Sequence, residues 1–123
     1  LEGGKLSRRR VLAQFGRGDF PDGCRYDSQG HLWLASIVSN RLWRIAPDGE
    51  AVLVLADSDP AHIDWVEAAL AQGRMGREHF YENGQTQLHN VASIDFSRDE
   101  RTAYLGSLAG DTVYALDIST ITQ

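Results

Sequence analysis

An internal repeat is the feature of this chain that most limits its fold. The block PDGCRYDSQGHLWLASIVSNRLWRIAPDG at residues 21–49 is echoed by SIDFSRDERTAYLGSLAGDTVYALD at residues 93–117. Each copy has the pattern strand, turn, strand, turn, strand, which is typical of repeat architectures built from small antiparallel sheets. The matched positions are Tyr26 with Phe96, Trp33 with Tyr104, Leu34 with Leu105, Ser36 with Ser107, Trp43 with Tyr114 and Ile45 with Leu116.

Turn residues divide the chain into two sets of short strands. Alternating apolar residues predict strands at 9–14, 24–27, 31–36, 41–46 and 51–55, then at 91–96, 102–107 and 112–117. Residues 118–123 either start a fourth strand of the second set or simply end the chain. Four strands in up-and-down order have the size of one propeller blade. We therefore predict an all-β fold, a partial β-propeller of about two four-stranded antiparallel blades.

A helical insertion separates the two predicted blades. Asp59 is a suitable N-cap, Pro60 suits the first helical position, and Gly73 suits the end of a helix. Residues 76–89 are predicted to be irregular. The chain is thus one partial propeller domain over residues 1–123, with a first blade and incoming strand at 8–56, the insertion at 57–90 and a second blade at 91–123. The apolar residues at helical spacing are Ile63, Val66 and Leu70.

Strand order sorts the loops between two ends of the blades. In an up-and-down sheet, the loops at 20–23, 37–40, 57–90 and 108–111 lie at one end, and the turns at 28–30, 47–50 and 98–101 lie at the other. This arrangement predicts that Asp22, the helical insertion and Asn90 gather at one mouth.

The composition excludes several classes of partner. The net charge is −5, whereas nucleic acids and anionic membranes require a basic surface, so neither is expected as a partner. The one basic run, Arg8 to Arg10, is interpreted as the solvated start of a strand. The chain shows no secretory signal and no apolar run of transmembrane length, which predicts a cytoplasmic protein. A single cysteine, Cys24, excludes an internal disulfide and is predicted to be a small buried core residue.

Three segments carry a resemblance to a known family. They are FPDGCRYDSQGHLWLASIVSNRLWRIAPDG, DPAHIDWVEAALAQGRMGREHF and SIDFSRDERTAYLGSL. Through them the chain resembles the C-terminal part of the senescence-marker-protein/gluconolactonase family of six-bladed propellers. The resemblance implies hydrolysis of sugar or other small lactones and a divalent metal, calcium or alternatively zinc, at the central channel.

Asp22 is the residue on which the resemblance depends most. On its own, Pro-Asp-Gly is a common turn signal, and the second copy at 47–49 is interpreted as a turn alone. The resemblance implies that Asp22 is a metal ligand, and a carboxylate is a suitable ligand for a hard cation. Asp22 is also the candidate catalytic base, although a bound cation lowers the pKa of a carboxyl and so favours the ligand role. The other family ligands, a Glu and two Asn, have no matching positions here.

Four further residues at the predicted mouth are candidate substrate contacts: His62, Trp65, His89 and Asn90. Packing or solvent exposure is the favoured alternative for His62, and a tryptophan such as Trp65 in a helix more often anchors a core than contacts substrate. The spacing of the four histidines fits no common zinc motif. His31 begins a strand at the opposite end.

Two blades do not close a propeller, which has roughly four to eight. Two hypotheses follow. The chain is part of a metal-dependent lactonase, or it is a non-catalytic half-propeller that associates with itself or with complementing blades. A third is a binding propeller without metal, or a strictosidine-synthase-like propeller with another substrate. The expected partners are a small-molecule lactone and further copies of the chain or the missing blades.

Overall fold

A computed structural model describes residues 8–121. The two sheets contain strands of four to eight residues, and two helices come between them in the sequence. In chain order the elements are β1 (Asp19–Tyr26), β2 (Leu32–Val38), β3 (Arg41–Ile45), β4 (Ala51–Ala56), α1 (Pro60–Ala71), α2 (Arg77–Tyr81), β5 (Val91–Phe96), β6 (Thr102–Ser107) and β7 (Tyr114–Asp117).

The strands form two separate antiparallel sheets in sequence order. β1 to β4 make a four-stranded sheet, and β5 to β7 make a three-stranded sheet. Neither sheet closes on itself, so the prediction of a partial propeller is confirmed. The predicted strands at 91–96 and 102–107 have the predicted bounds. Residues 118–121 form a turn in which the Ile121 amide donates to the Ile118 carbonyl at 3.0 Å, and residues 122–123 lie outside the described part.

The first sheet begins differently from the prediction. Residues 9–14 do not form a strand, so the incoming strand and the strand start assigned to Arg8–Arg10 are wrong. β1 begins at Asp19 instead of residue 24 and includes the Pro-Asp-Gly segment. The pairing of β1 with β2 shifts register between Pro21 and Cys24, which marks a β-bulge. A bulge accommodates the proline and glycine that a regular strand disfavours.

The core lies between the two sheets. β2 is almost wholly buried, because it is central in the first sheet and also packs against β5 of the second. This double burial explains its continuous apolar sequence. Cys24 is exposed on β1, the edge strand of the first sheet, so its predicted burial is wrong. The larger of two buried apolar clusters comprises Trp33, Ala35, Leu42, Leu88, Val91, Ile94, Ala103, Leu105 and Ile118. The smaller one joins β2 to α1 and comprises Ile37, Val38, Ile63 and Val66.

Two buried carboxylates hold two of the three tryptophans. Trp33 Nε1 donates to Asp27 Oδ2 at 3.0 Å, and Trp43 Nε1 donates to Asp19 Oδ1 at 3.0 Å. Burial raises the pKa of Asp27, but hydrogen bonds from Trp33 and from the amides of His31 and Gln29 outweigh burial, so that its pKa lies below the usual value. These contacts fix the aromatic side chains inside the first blade.

Contacts between the sheets support the predicted sorting of loops. At one end, the hydroxyl of Ser28 donates to Glu100 Oε1 at 2.6 Å, which joins the 28–30 turn to the 98–101 turn. At the other end, the Val38 amide donates to Asn90 Oδ1 at 2.8 Å, which joins the β2–β3 turn to the end of the insertion. Among the helices at residues 8–121, none has the length and apolar character needed to cross a membrane.

The predicted helix is confirmed, and the segment after it is partly helical. Asp59 caps α1 by accepting from the Ala61 amide at 3.0 Å, and Gly73 ends it with a φ of 68°. The prediction of an irregular segment over 76–89 is wrong at α2, whose five residues make one short turn of helix. Ile63 and Val66 are buried as expected, whereas Leu70 remains 48% exposed.

Candidate functional site

Asp22 lies at the bulge of β1, inside the strand rather than ahead of it. The two residues skipped in the pairing with β2 are Asp22 and Gly23. A bulge turns its side chains away from the regular alternation of the strand. The Asp22 side chain is exposed and makes no hydrogen bond or ion pair with any residue of 8–121. Its carboxylate is therefore available to a ligand.

Gly23 places Asp22 at the junction of the two blades. A Cβ atom on Gly23 would lie 2.3 Å from the Ala92 carbonyl oxygen and 3.0 Å from Ser93 Cα. Only glycine allows β1 to approach β5 this closely. The sequence Asp-Gly thus serves two purposes: Gly23 brings the strands together, and Asp22 presents its carboxylate beside that contact.

The described residues do not form a complete metal site. Within residues 8–121, no group of three or more His, Cys, Asp or Glu side chains is placed to hold one ion. Calcium takes six to eight oxygen ligands, so one carboxylate is too few. Asp22 can therefore supply only one of the ligands that such a site needs.

Asn90 belongs to a pair of buried asparagines that cross-link the mouth loops. Asn90 Oδ1 accepts from the Val38 amide at 2.8 Å, and Asn40 Oδ1 accepts from the Val91 amide at 2.9 Å. Asn90 Nδ2 donates to the carbonyls of Phe80 and Glu82 at 2.6 and 2.9 Å. Every polar atom of the Asn90 amide is thus engaged with the backbone. Its predicted contact with substrate stays a prediction, and its observed role is to hold the loops.

The loops that this pair joins have unusual backbone conformations. Asn40 and Asn90 have φ values of 50° and 61°, which asparagine tolerates better than most residues. Val38 has a φ of 71°, rare for a β-branched residue, in a tight turn where the Ser39 amide donates to the Ile37 carbonyl at 2.8 Å. The Asn90 side-chain oxygen, which accepts from the Val38 amide, supports this strained turn.

Three aromatic side chains of the insertion stack in a row. The Trp65 ring lies between those of His62 and His79, with centroid distances of 5.7 and 4.3 Å. His62 and His79 are buried, whereas Trp65 is 40% exposed. Trp65 therefore contacts solvent with one part of its ring and links α1 to α2 through its contact with His79.

His62 is buried without full hydrogen bonding. Its Nε2 atom has no partner among the described residues. Burial lowers the pKa of His62, and the nearby carboxylates of Asp59 and Glu82 only partly oppose this effect. The folded protein therefore favours the neutral imidazole.

This burial predicts a pH-dependent stability. Since the unfolded-state pKa is about 6.5 and the folded value is lower, stability is complete above about pH 6.5 and decreases as the pH falls towards the folded pKa. One proton corresponds to a slope of at most about 1.4 kcal/mol per pH unit. Urea unfolding of the wild type and His62→Asn at pH 8.0 and 5.5 measures it. Equal pH dependence of both proteins would contradict this expectation.

A cleft of about 300 Å³ opens beside Trp65. One wall is the exposed face of α1, and the other is the segment that leads into α2. The Arg74 guanidinium contacts the Gln72 amide oxygen at the rim, and Glu78 Oε1 lies 3.7 Å from His79 Nδ1. The lining residues are Trp65, Ala68, Ala69, Gln72, Arg74, Glu78 and His79.

His89 lies at the same end as the asparagine pair. It immediately precedes Asn90, and its ring occupies space that a side chain on Gly110 would fill, since a Cβ there would lie 2.9 Å from His89 Nδ1. The ring is half-buried, so one side remains open to solvent. Its predicted contact with substrate stays a prediction.

Sequence reasoning missed two parts of this region. The sequence places Asn40 only within the loop at 37–40 and does not predict its bond to Val91. His79 was placed in an irregular segment, yet α2 carries it against Trp65. Neither partnership leaves a local signal, because each joins segments distant in sequence.

The chain is similar to known proteins over about half of its length. A family model described as SMP-30/Gluconolactonase/LRE-like region matches residues 1–63, just over half of the 123 residues. The 6-deoxy-6-sulfogluconolactonase of Pseudomonas putida is 38% identical over 53 residues. The aligned segment covers 42% of this chain and 18% of that relative, so the chain matches only a small part of the relative's length.

Proposed function

The chain belongs to the SMP-30/gluconolactonase/LRE-like family, and from this premise we propose that it forms part of a lactonase acting on sugar or other small lactones. The observation that carries the proposal is the Asp22 carboxylate, exposed at the bulge where the two blades meet. The family relationship and the lactonase named among its relatives support the reaction class.

Hydrolysis of a lactone adds one water molecule across the ring ester. Water attacks the carbonyl carbon, the bond from that carbon to the ring oxygen breaks, and the ring oxygen takes a proton to give a hydroxy acid. The attacking water must be oriented and deprotonated, and a carboxylate within hydrogen-bond reach can do both. Asp22 is the described residue whose position beside the blade junction suits this role.

A divalent ion is the proposed cofactor, with calcium favoured by the oxygen donor and zinc as the alternative. A bound cation would supply positive charge for the oxyanion that develops on the carbonyl. Asp22 would provide one ligand. Because the described residues lack a complete donor set, the remaining ligands have to come from other blades.

Hydrolysis of gluconolactone followed by titration of the released acid tests the proposal. The purified chain is assayed with added calcium, with zinc and with a chelator. We expect turnover above the spontaneous rate that the chelator removes. Equal rates in all three conditions would contradict a metal-dependent lactonase for this chain.

A non-catalytic, self-associating half-propeller is the second candidate function. The supporting observation is the outer edge of β7, which pairs with β6 on one side only within the described residues. Edge strands with free backbone groups favour pairing with another chain. Val113, just before β7, is 70% exposed.

Light scattering measures the molecular mass in solution and tests this candidate. We expect a multiple of the 13.6 kDa monomer mass, in which further copies complete the blades. A monomer at high concentration would contradict self-association.

A further inference from the structure

We infer that the cleft beside Trp65 is a binding site for a neutral, hydroxylated ring such as a pyranose. The inference goes beyond the proposed hydrolysis, because this cleft contains neither Asp22 nor any requirement for a metal ion. Its volume of about 300 Å³ lies at the lower end of the range for small-molecule pockets and suits a single sugar ring.

The geometry of His79 leaves a donor for a ligand. His79 Nδ1 lies 2.8 Å from the Gly76 amide nitrogen and 3.2 Å from the Gly76 carbonyl oxygen. The shorter contact, in which the amide N–H points at Nδ1, assigns the proton of the neutral ring to Nε2. Nε2 makes no hydrogen bond within residues 8–121 and keeps contact with solvent, although His79 as a whole is only 4% exposed and lines the cleft. An imidazole N–H that opens into the cleft can donate to a ligand in place of water.

Trp65 provides both an apolar surface and a second donor. The indole is 40% exposed, and its orientation is set by stacking against His79 at 4.3 Å. Its Nε1 atom makes no hydrogen bond within the described part of the chain. A rigid aromatic face beside a free N–H suits a ring with an apolar face and polar edges.

The charges of the cleft favour a neutral ligand. Arg74 donates and Glu78 accepts, and together they leave no net charge on the lining residues. A charged ligand of either sign would be attracted by one of these two side chains and repelled by the other, so the pair selects for neither sign. Hydroxyl groups, which both donate and accept, satisfy this mixed set, while Ala68 and Ala69 complete the apolar wall.

The three indole N–H signals in a nitrogen-15 correlation spectrum test the inference. Trp33 and Trp43 donate to Asp27 and Asp19, so their signals serve as internal references. On titration with glucose we expect the Trp65 signal alone to shift and to saturate, with a dissociation constant on the order of millimolar. Trp65→Phe identifies its signal by removing it.

Variants and ligand analogues complete the test. In Trp65→Ala, which lacks the indole, the backbone amide signals of Ala68 and Ala69 report on binding. We expect this variant to bind glucose at least about tenfold more weakly than the wild type. Leu70→Ala, exposed on the same helix outside the cleft, is the matched control. Asp22→Ala should bind glucose like the wild type, which separates this inference from the proposed hydrolysis. No saturable shift, equal shifts of all three indoles, or a preference for gluconate would overturn it.

Discussion

Asp22→Ala is expected to lower metal-dependent lactone hydrolysis by at least about 100-fold. The substitution removes the exposed carboxylate at the bulge of β1, the group that we propose as metal ligand and water-orienting base. Since that carboxylate makes no internal hydrogen bond or ion pair with residues 8–121, its loss should leave the fold intact. Acid release from gluconolactone with calcium present measures the effect.

Asp48 provides a matched control for Asp22. It occupies the middle of the second Pro-Asp-Gly, in an exposed turn where it accepts from the Glu50 amide at 2.9 Å. That turn belongs to the opposite end of the blade, so Asp48→Ala is expected to keep activity within about twofold of the wild type, as for a surface change away from the chemistry. Similar losses in both variants would assign the effect to stability and contradict the role of Asp22.

Asn90→Ala and Asn40→Ala are each expected to lower the free energy of unfolding by about 3 kcal/mol. Each substitution leaves a buried backbone N–H without its acceptor, that of Val38 or that of Val91. Each also places alanine at a positive φ that asparagine tolerates better. Urea unfolding followed by far-ultraviolet circular dichroism measures the loss.

Glycine variants separate the two contributions to this loss. Asn40→Gly and Asn90→Gly relieve the strain of positive φ but still remove the side-chain hydrogen bonds. We expect them to be less destabilised than the alanine variants by about 1 kcal/mol. Thr120→Ala, at an exposed position in a turn distant in sequence, controls for general effects of substitution. Losses below about 0.5 kcal/mol for both asparagines would show that the pair does not hold the mouth loops.

The sequence predicts those parts of the candidate site that depend on a local motif or on strand order. The Pro-Asp-Gly motif makes Asp22 a candidate from the sequence alone. Strand order predicts that Asn90 and the helical insertion lie at one end, which the bonds from Asn90 to the Phe80 and Glu82 carbonyls support. The motif does not predict the bulge, because a Pro-Asp-Gly segment is as compatible with a turn as with an interrupted strand. The close contact of Gly23 with Ala92 decides between these alternatives, and that contact joins residues about 70 positions apart.

The sequence pattern also fails to predict which apolar side chains are buried at Cys24 and Leu70. Cys24 follows an alternating pattern that predicts a core position, yet it is exposed because β1 is the edge of its sheet. Leu70 follows helical spacing but is half exposed, since α1 buries only the face formed by His62, Ile63, Val66 and Ala69. Periodicity identifies the element, whereas the neighbours of the element decide which face is covered.

The sequence by itself determined the repeated blade, the start and end of α1 and the opposite ends at which the 28–30 turn and the insertion lie. These features depend on periodicity, capping and turn residues, which act over a few neighbouring positions. The tertiary structure alone decided the bulge that exposes Asp22, the mutual support of Asn40 and Asn90 and the cleft beside Trp65. Each of these depends on contacts between distant segments, and the packing of the two blades and the insertion creates those contacts.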